Sequence, residues 1–269
     1  MSYKFKNETY SLGIIDSGIG GLTLVNTLQQ IHPKTQIDSI CDSKNVPFGN
    51  MGPELLWSKL LKMTKILVER GNHFILVGCN TLTVELISRL RDNFPQQQFI
   101  GIEPYFNWVN HHPVIQKDIK LAMLLTPNTA KAERTLHLKE TFDPEGLIRT
   151  FPMPDLATDI EEFARTKRPI VLEKIEKQLE FLSQEKFQHC LLGCTHYSWI
   201  RPILEKQGLV CIEANEAVSR RVWQLLKRPK ISEDWLNISL DEGESWLARP
   251  QEFYQNLLRT FTLRPSQTE

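Results

Sequence analysis

Residues 74–81 read Phe-Ile-Leu-Val-Gly-Cys-Asn-Thr, and residues 189–196 read His-Cys-Leu-Leu-Gly-Cys-Thr-His. Each stretch is an apolar run, a glycine, a cysteine and then polar groups. An apolar run of that length bounded by glycine reads as a strand buried on both faces, as in a parallel sheet. The Asn80-Thr81 and Thr195-His196 pairs that follow suit the start and capping of a helix. Cys79 and Cys194 are therefore expected at the carboxyl ends of two strands, beside two helix N-termini. Open α/β sheets bind ligands at that edge, and the helix dipole there favours a thiolate over a thiol. One free cysteine reads first as a small buried hydrophobe. A matched pair in equivalent settings points instead to a site.

The sequence on either side completes two α/β series. Residues 12–15 form a short strand that runs into Asp16-Ser17-Gly18-Ile19-Gly20-Gly21, followed by a helix over 22–31. This turn fits neither the dinucleotide fingerprint nor the P-loop. Thr23 holds the sixth position counted from Gly18, and no Lys-Ser/Thr ending follows. The glycines suit tight turning and close approach of a small ligand carrying a carboxylate. A strand at 36–41, a polar loop through Pro47-Phe48-Gly49, helices at 54–70 and 82–91 and a strand at 98–102 complete the first series. The second begins with a strand at 120–125, which ends in Thr126-Pro127-Asn128-Thr129 and a helix over 130–140. Thr126 and Thr129 hold the place that Asp16 and Ser17 hold in the first. A strand at 147–151, helices at 160–163 and 170–181, the second cysteine strand, a helix from Trp199 and a strand at 209–212 follow. The tail carries a helix at 216–227, a stretch at 236–240 and a final helix at 251–261.

Strands alternating with helices imply right-handed crossovers and parallel sheets. The expected fold class is α/β: two similar lobes, each a mostly parallel sheet flanked by helices, with the site in the cleft between them. Residues 1–104 plus 214–269 are assigned to the first lobe and 105–213 to the second.

Composition narrows the partners. The hydrophobic share is 41%, the charged share 24% and the formal net charge zero, so no electrostatic footprint for nucleic acid or an anionic membrane is present. No run approaches the length of a membrane span. The five cysteines (41, 79, 190, 194 and 211) are odd in number, with no secretory pattern before them. A reduced, cytoplasmic setting is expected. Cys190 and Cys194 lack the second pair of ligands that a zinc site needs, so no metal is expected. Cys41, Cys190 and Cys211 are read as packing residues.

Two cysteines facing one cavity from opposite lobes allow three chemistries. A disulfide is the one least suited to a reducing cell. A Cys-His nucleophile needs only Cys194 with His196. The third is proton transfer at a carbon acid, in which one thiolate removes a proton from one face while the other thiol delivers one to the opposite face. A thiol with its pKa of about 8.5 brought down somewhat suits a general base near neutral pH. Two similar acids placed symmetrically are what a reversible inversion of configuration requires.

Taken in order, Asp16-Ser17-Gly18, Pro47-Phe48-Gly49, Gly78-Cys79-Asn80-Thr81, Gly101-Ile102-Glu103-Pro104, Thr126-Pro127-Asn128-Thr129 and Gly193-Cys194-Thr195-His196-Tyr197 resemble the glutamate racemase family of the aspartate/glutamate racemase superfamily. The likeness spans nearly the whole chain. It implies Cys79 and Cys194 as paired acid/base residues, assisted by Asp16 and His196 respectively. It implies that Ser17, Pro47, Gly49, Asn80, Thr81, Thr126, Thr129 and Thr195 hold the α-carboxylate and α-amino groups of a small acidic amino acid. It further implies no cofactor, a C-terminal segment folded back onto the first lobe, a homodimer as in relatives, and D-glutamate supply for peptidoglycan. Phe48, in the same substrate loop, stands where the family commonly has tyrosine. The second-lobe Cys-Pro stretch that ends in a functional glutamate is replaced from Phe151 to Asp155. Asp159, preferred to Glu161 or Glu162, is expected in that glutamate's place. Glu213 stands where aspartate is common. These departures keep open aspartate or another acidic amino acid as substrate, a Cys-His hydrolase, and a racemase-like binding protein without turnover.

Overall fold

A computed structural model of the protein describes residues 11–33, 35–42, 44–46, 48–112 and 119–226, and the backbone of Leu236–Leu240 and Ser245–Trp246. The final helix expected at 251–261 and the substrate-loop residue Pro47 lie outside the described residues.

The first series runs β1 (Ser11–Asp16), α1 (Gly20–Ile31), β2 (Gln36–Cys41), a 3-10 turn (Phe48–Asn50), α2 (Pro53–Glu69), β3 (Phe74–Val77), α3 (Asn80–Asn93) and β4 (Gln98–Gly101). The second runs α4 (Trp108–His111), β5 (Leu121–Leu125), α5 (Pro127–Lys131), α6 (Glu133–Phe142), β6 (Ile148–Pro152), α7 (Leu156–Thr166), α8 (Pro169–Gln184), β7 (His189–Leu192), a 3-10 turn (Thr195–Ile200), α9 (Arg201–Lys206) and β8 (Val210–Ile212). The chain then returns through α10 (Asn215–Leu226) to β9 (Leu236–Leu240) and β10 (Ser245–Trp246).

The second sheet has the order β6-β5-β7-β8, all parallel. The first has the order β10-β9-β2-β1-β3-β4, parallel except for β10. Its last four strands, β2-β1-β3-β4, repeat the second sheet's order, with β1 matching β5 and β3 matching β7. Strand order reverses between β1 and β3, and again between β5 and β7. In open α/β sheets such switch points open a crevice at the carboxyl ends of the strands. Backbone bonds repeat with the topology. Gly78 N–H donates to Ile15 O at 2.7 Å, and Gly193 N–H to Leu124 O at 2.9 Å.

Alternation along each strand explains why the apolar runs are continuous. On β3, Ile75 and Val77 join a core with α2 and α3, while Phe74 and Leu76 join a core with α1 and α10. On β5, Ala122 and Leu124 face α7, α8 and the second 3-10 turn, whereas Leu121, Met123 and Leu125 face the core that includes Leu138 of α6. Each Leu or Ile buried this way contributes about 1.5–3 kcal/mol. Proline at the start of α2, α5 and α8 sets the first-turn backbone, and Gly71 at φ 83° ends α2 in a conformation that favours glycine. Where one helix was expected over 130–140, Ala132 at ψ 134° breaks it into α5 and α6. Among the described residues no helix is long and apolar enough to cross a membrane.

Candidate active site

Asp16 is the last residue of β1 and is fully buried. Its Oδ1 accepts from Gly18 N–H at 3.1 Å and from Ser17 Oγ–H at 3.3 Å. Its Oδ2 accepts from the Thr195 hydroxyl of the second lobe at 3.0 Å. Burial pushes the carboxyl up to about 6, although the charge on His196 and these hydrogen bonds work the other way. Cys79 lies where β3 gives way to α3. Burial, then the charge of Asp16, pushes its thiol up to about 12, and Cys194 adds in the same direction. Hydrogen bonds from Leu82 N–H and Ser17 offset part of this. The thiolate expected at this helix start is thus not the resting form of Cys79. Desolvation and a nearby carboxylate outweigh the helix dipole.

The other sulfur has a different escort. Cys194 Sγ lies 3.8 Å from His196 Nδ1, and His196 Nε2 lies 2.9 Å from Glu161 Oε1. Burial disfavours the imidazolium, but Cys194 and Glu161 on its two sides outweigh it and raise His196 well above its ordinary value. The same Glu161 oxygen accepts from Ile19 N–H of the first lobe at 2.7 Å. Sulfur, imidazole and carboxylate form one chain across the cleft.

Three hydroxyls from both lobes close a ring beside these groups. Thr81 Oγ1 lies 3.0 Å from both Thr126 Oγ1 and Thr129 Oγ1, which are 2.8 Å from each other. Thr126 also caps α5 by accepting from Thr129 N–H. A hydroxyl rotates freely, so these three can turn as donors toward a carboxylate. Asn80 Oδ1 is buried without a hydrogen-bond partner, an acceptor matched to an ammonium group. Gly49 packs against Thr126 so closely that a Cβ there would overlap its side chain. Phe48 is buried in the same core as Cys79, against α2 and α3.

The structure therefore gathers Asp16, Ser17, Gly49, Asn80, Thr81, Cys79, Thr126, Thr129, Cys194, Thr195 and His196 around the facing strand ends, with Phe48 in the wall behind. It does not bring Asp159 there. Its carboxylate accepts from Lys174 Nζ at 2.8 Å and Gln178 Nε2 at 2.7 Å, both on α8. Two residues on a helix are about 200° apart, so with Glu161 facing the cleft, Asp159 faces away. Glu162 pairs with Arg168 at the surface. The expected caps also differ, because Cys79 and Cys194 themselves take the positions before each turn and make no side-chain cap. Thr81 and Thr195 instead direct their hydroxyls across the cleft. Cys41, read as a packing residue, is fully buried and pairs in register with Asp16. Burial and then the charge of Asp16 push its thiol up, so it stays neutral.

No family model matches the chain. Glutamate racemase of Stutzerimonas stutzeri is 30% identical over 225 residues, covering 80% of this chain and 81% of that protein. The enzyme of Ectopseudomonas mendocina is 28% identical over 218 residues, covering 80% and 81%. The crystal structure of Escherichia coli glutamate racemase with L-glutamate and the activator UDP-MurNAc-Ala has a TM-score of 0.73 at 20% identity, covering 96% of this chain and 97% of that one. That likeness is one of fold. With the first of these relatives matched over four-fifths of both chains, this protein belongs to the glutamate racemase family.

Proposed function

We propose that this protein interconverts L- and D-glutamate by two-base proton transfer at Cα, with Cys79 and Cys194 as the acid/base pair and no cofactor. One observation carries the reading. Two sulfurs stand at equivalent strand ends of two repeated sheets, and those ends are bridged by the Thr195–Asp16 hydrogen bond. Each has its own proton partner, Asp16 for Cys79 and the His196–Glu161 chain for Cys194.

In one direction the Cys194 thiolate takes the α-proton while the Cys79 thiol gives its proton to the opposite face of the carbanion. In the other direction the roles exchange. Before that reverse step Cys79 must be deprotonated, and Asp16, at about 6, is placed to assist. The threonine ring holds the α-carboxylate, where it offsets the charge that builds up as the proton leaves. Asn80 and Ser17 take the ammonium. Glutamate is the substrate because it is what the matched relatives are named for. A cytoplasmic enzyme supplying D-glutamate to peptidoglycan, with lobes of 1–104 plus 214–269 and 105–213, completes the reading.

The test is incubation of the purified protein with L- and D-glutamate and with L- and D-aspartate, followed by chiral chromatography. Interconversion of glutamate above all, lost in both Cys79→Ser and Cys194→Ser, is expected. Racemisation that survives Cys79→Ser would contradict the two-base assignment, and no interconversion of any acidic amino acid by the parent would leave the Cys-His hydrolase and binding-protein readings standing.

A further inference from the structure

The turn that carries His196 is a 3-10 helix, whose internal hydrogen bonds are poorer than those of an α-helix. Its side chains hold it from outside. Thr195 donates to Asp16, His196 meets Cys194 and Glu161, and Tyr197 donates to Met153 O. Trp199 Nε1–H donates to Ile19 O at 3.0 Å. These four anchors lie in the cleft or the core. Ser198 is different, being half-buried on the outer side, where its hydroxyl donates to Glu213 Oε2.

Glu213 follows directly on β8, and its other oxygen accepts from Arg201 Nη1 at 3.2 Å, at the start of α9. Two residues further on, Asn215 Nδ2 donates to Thr23 Oγ1 of α1 at 3.2 Å. The segment 213–215 thus ties the 3-10 turn to the end of β8 on one side and to the first lobe on the other. We propose that Glu213 is a positioning residue, which acts through Ser198 to fix the 3-10 turn and so sets where His196 stands between Cys194 and Glu161. This rests on the assignment of His196 to the proton-transfer site. The sulfur–imidazole contact is already long for a proton relay at 3.8 Å. A small drift of the turn relative to β8 lengthens it further, and transfer rates fall steeply with misplacement.

The variants are Ser198→Ala, Glu213→Ala and Glu213→Gln in the full chain. The readouts are the ring-nitrogen NMR titration of His196, assigned with a His196→Asn variant, kcat and KM for both glutamate enantiomers, and the melting temperature. In Ser198→Ala and Glu213→Ala the His196 midpoint is expected to fall toward the ordinary histidine value. The groups facing it (Cys194, Glu161 and the buried Asp16) are unchanged in sequence, so only their distance can move it. kcat is expected to fall about tenfold with KM within about twofold. Glu213→Gln should keep the parent titration, because a serine hydroxyl can donate to or accept from the amide. If Glu213→Ala fails to fold, Ser198→Ala carries the test, since it removes one half-buried hydroxyl. A parent-like His196 midpoint in both alanine variants, or a Glu213→Gln as perturbed as Glu213→Ala, overturns the proposal. Should the parent protein racemise no acidic amino acid, the functional reading fails while the titration still decides the role of Glu213.

Discussion

Asp16 links the chemistry of the site to the stability of the fold. Its carboxyl rises from 3.8 to about 6 on burial. Folded and unfolded chains are both protonated below the ordinary value, so the buried carboxyl then carries no ionisation cost. As pH rises from about 4 to about 6 the unfolded state ionises first, and stability falls until the folded carboxyl ionises too. The full cost is about 3 kcal/mol. Urea unfolding of Asp16→Asn beside the parent is expected to give a stability difference that shifts by about that amount against the parent between pH 4 and pH 7. A flat difference contradicts the burial account. His196 has the raised value of a paired base, so its contribution is complete below about 6.5 and is lost as pH rises through the higher folded value. Glu161 and Asp159 make a second residue-scale contrast. Glu161→Gln should lower kcat at least tenfold by removing the charge behind His196. Asp159→Asn should leave kcat within about twofold and destabilise the fold by about 1–3 kcal/mol, because it disturbs a carboxylate bonded to Lys174 and Gln178. Steady-state kinetics and thermal unfolding of the two variants check this. The cysteines, Asp16 and the threonines were legible because their neighbours in sequence mark strand ends. Glu161 was not, because composition does not tell which polar side of α7 faces the cleft and which faces α8.

At the scale of elements, the continuous apolar runs of β3 and β7 read correctly because both faces of each strand meet helices. The break at Ala132 and the 3-10 turn after Cys194 were not legible. The 3-10 turn depends on contacts across lobes rather than on local propensity, as the bonds of Thr195 and Trp199 to the first lobe illustrate. The same closeness governs the turn at Phe48–Asn50. Gly49 sits against Thr126, Asn50 Nδ2 donates to Pro154 O at 3.0 Å, and Asn128 Nδ2 donates to Met51 O at 2.8 Å. A methyl group on Gly49 must push Thr126 away and disturb the hydroxyl ring. Gly49→Ala is therefore expected to raise KM about tenfold, with both cysteines in place and a melting temperature within a few degrees of the parent. An unchanged KM would remove this turn from the substrate site.

Across the whole molecule, two copies of one strand order meet with their switch points facing, and each contributes a polar turn and a cysteine from equivalent places. The repeat was visible in the sequence as polar turn followed by Gly-Cys in each half. The family resemblance implied the return of the tail to the first lobe, and β9 beside β2 bears it out; the pairing itself was not legible, because a five-residue strand (Leu236–Leu240) carries too little pattern to name its partner. Under the proposed two-base mechanism, doubling the unit supplies the similar acids on two sides of a cleft that a reversible inversion needs. The most direct test uses L-glutamate in heavy water, with both enantiomers sampled by chiral mass spectrometry during the first few per cent of turnover. Two bases on opposite faces predict solvent deuterium at Cα of the newly formed D-glutamate, while the remaining L-glutamate stays unlabelled. Early deuterium in both enantiomers alike would mean that one base serves both faces, and would contradict the division of labour between Cys79 and Cys194.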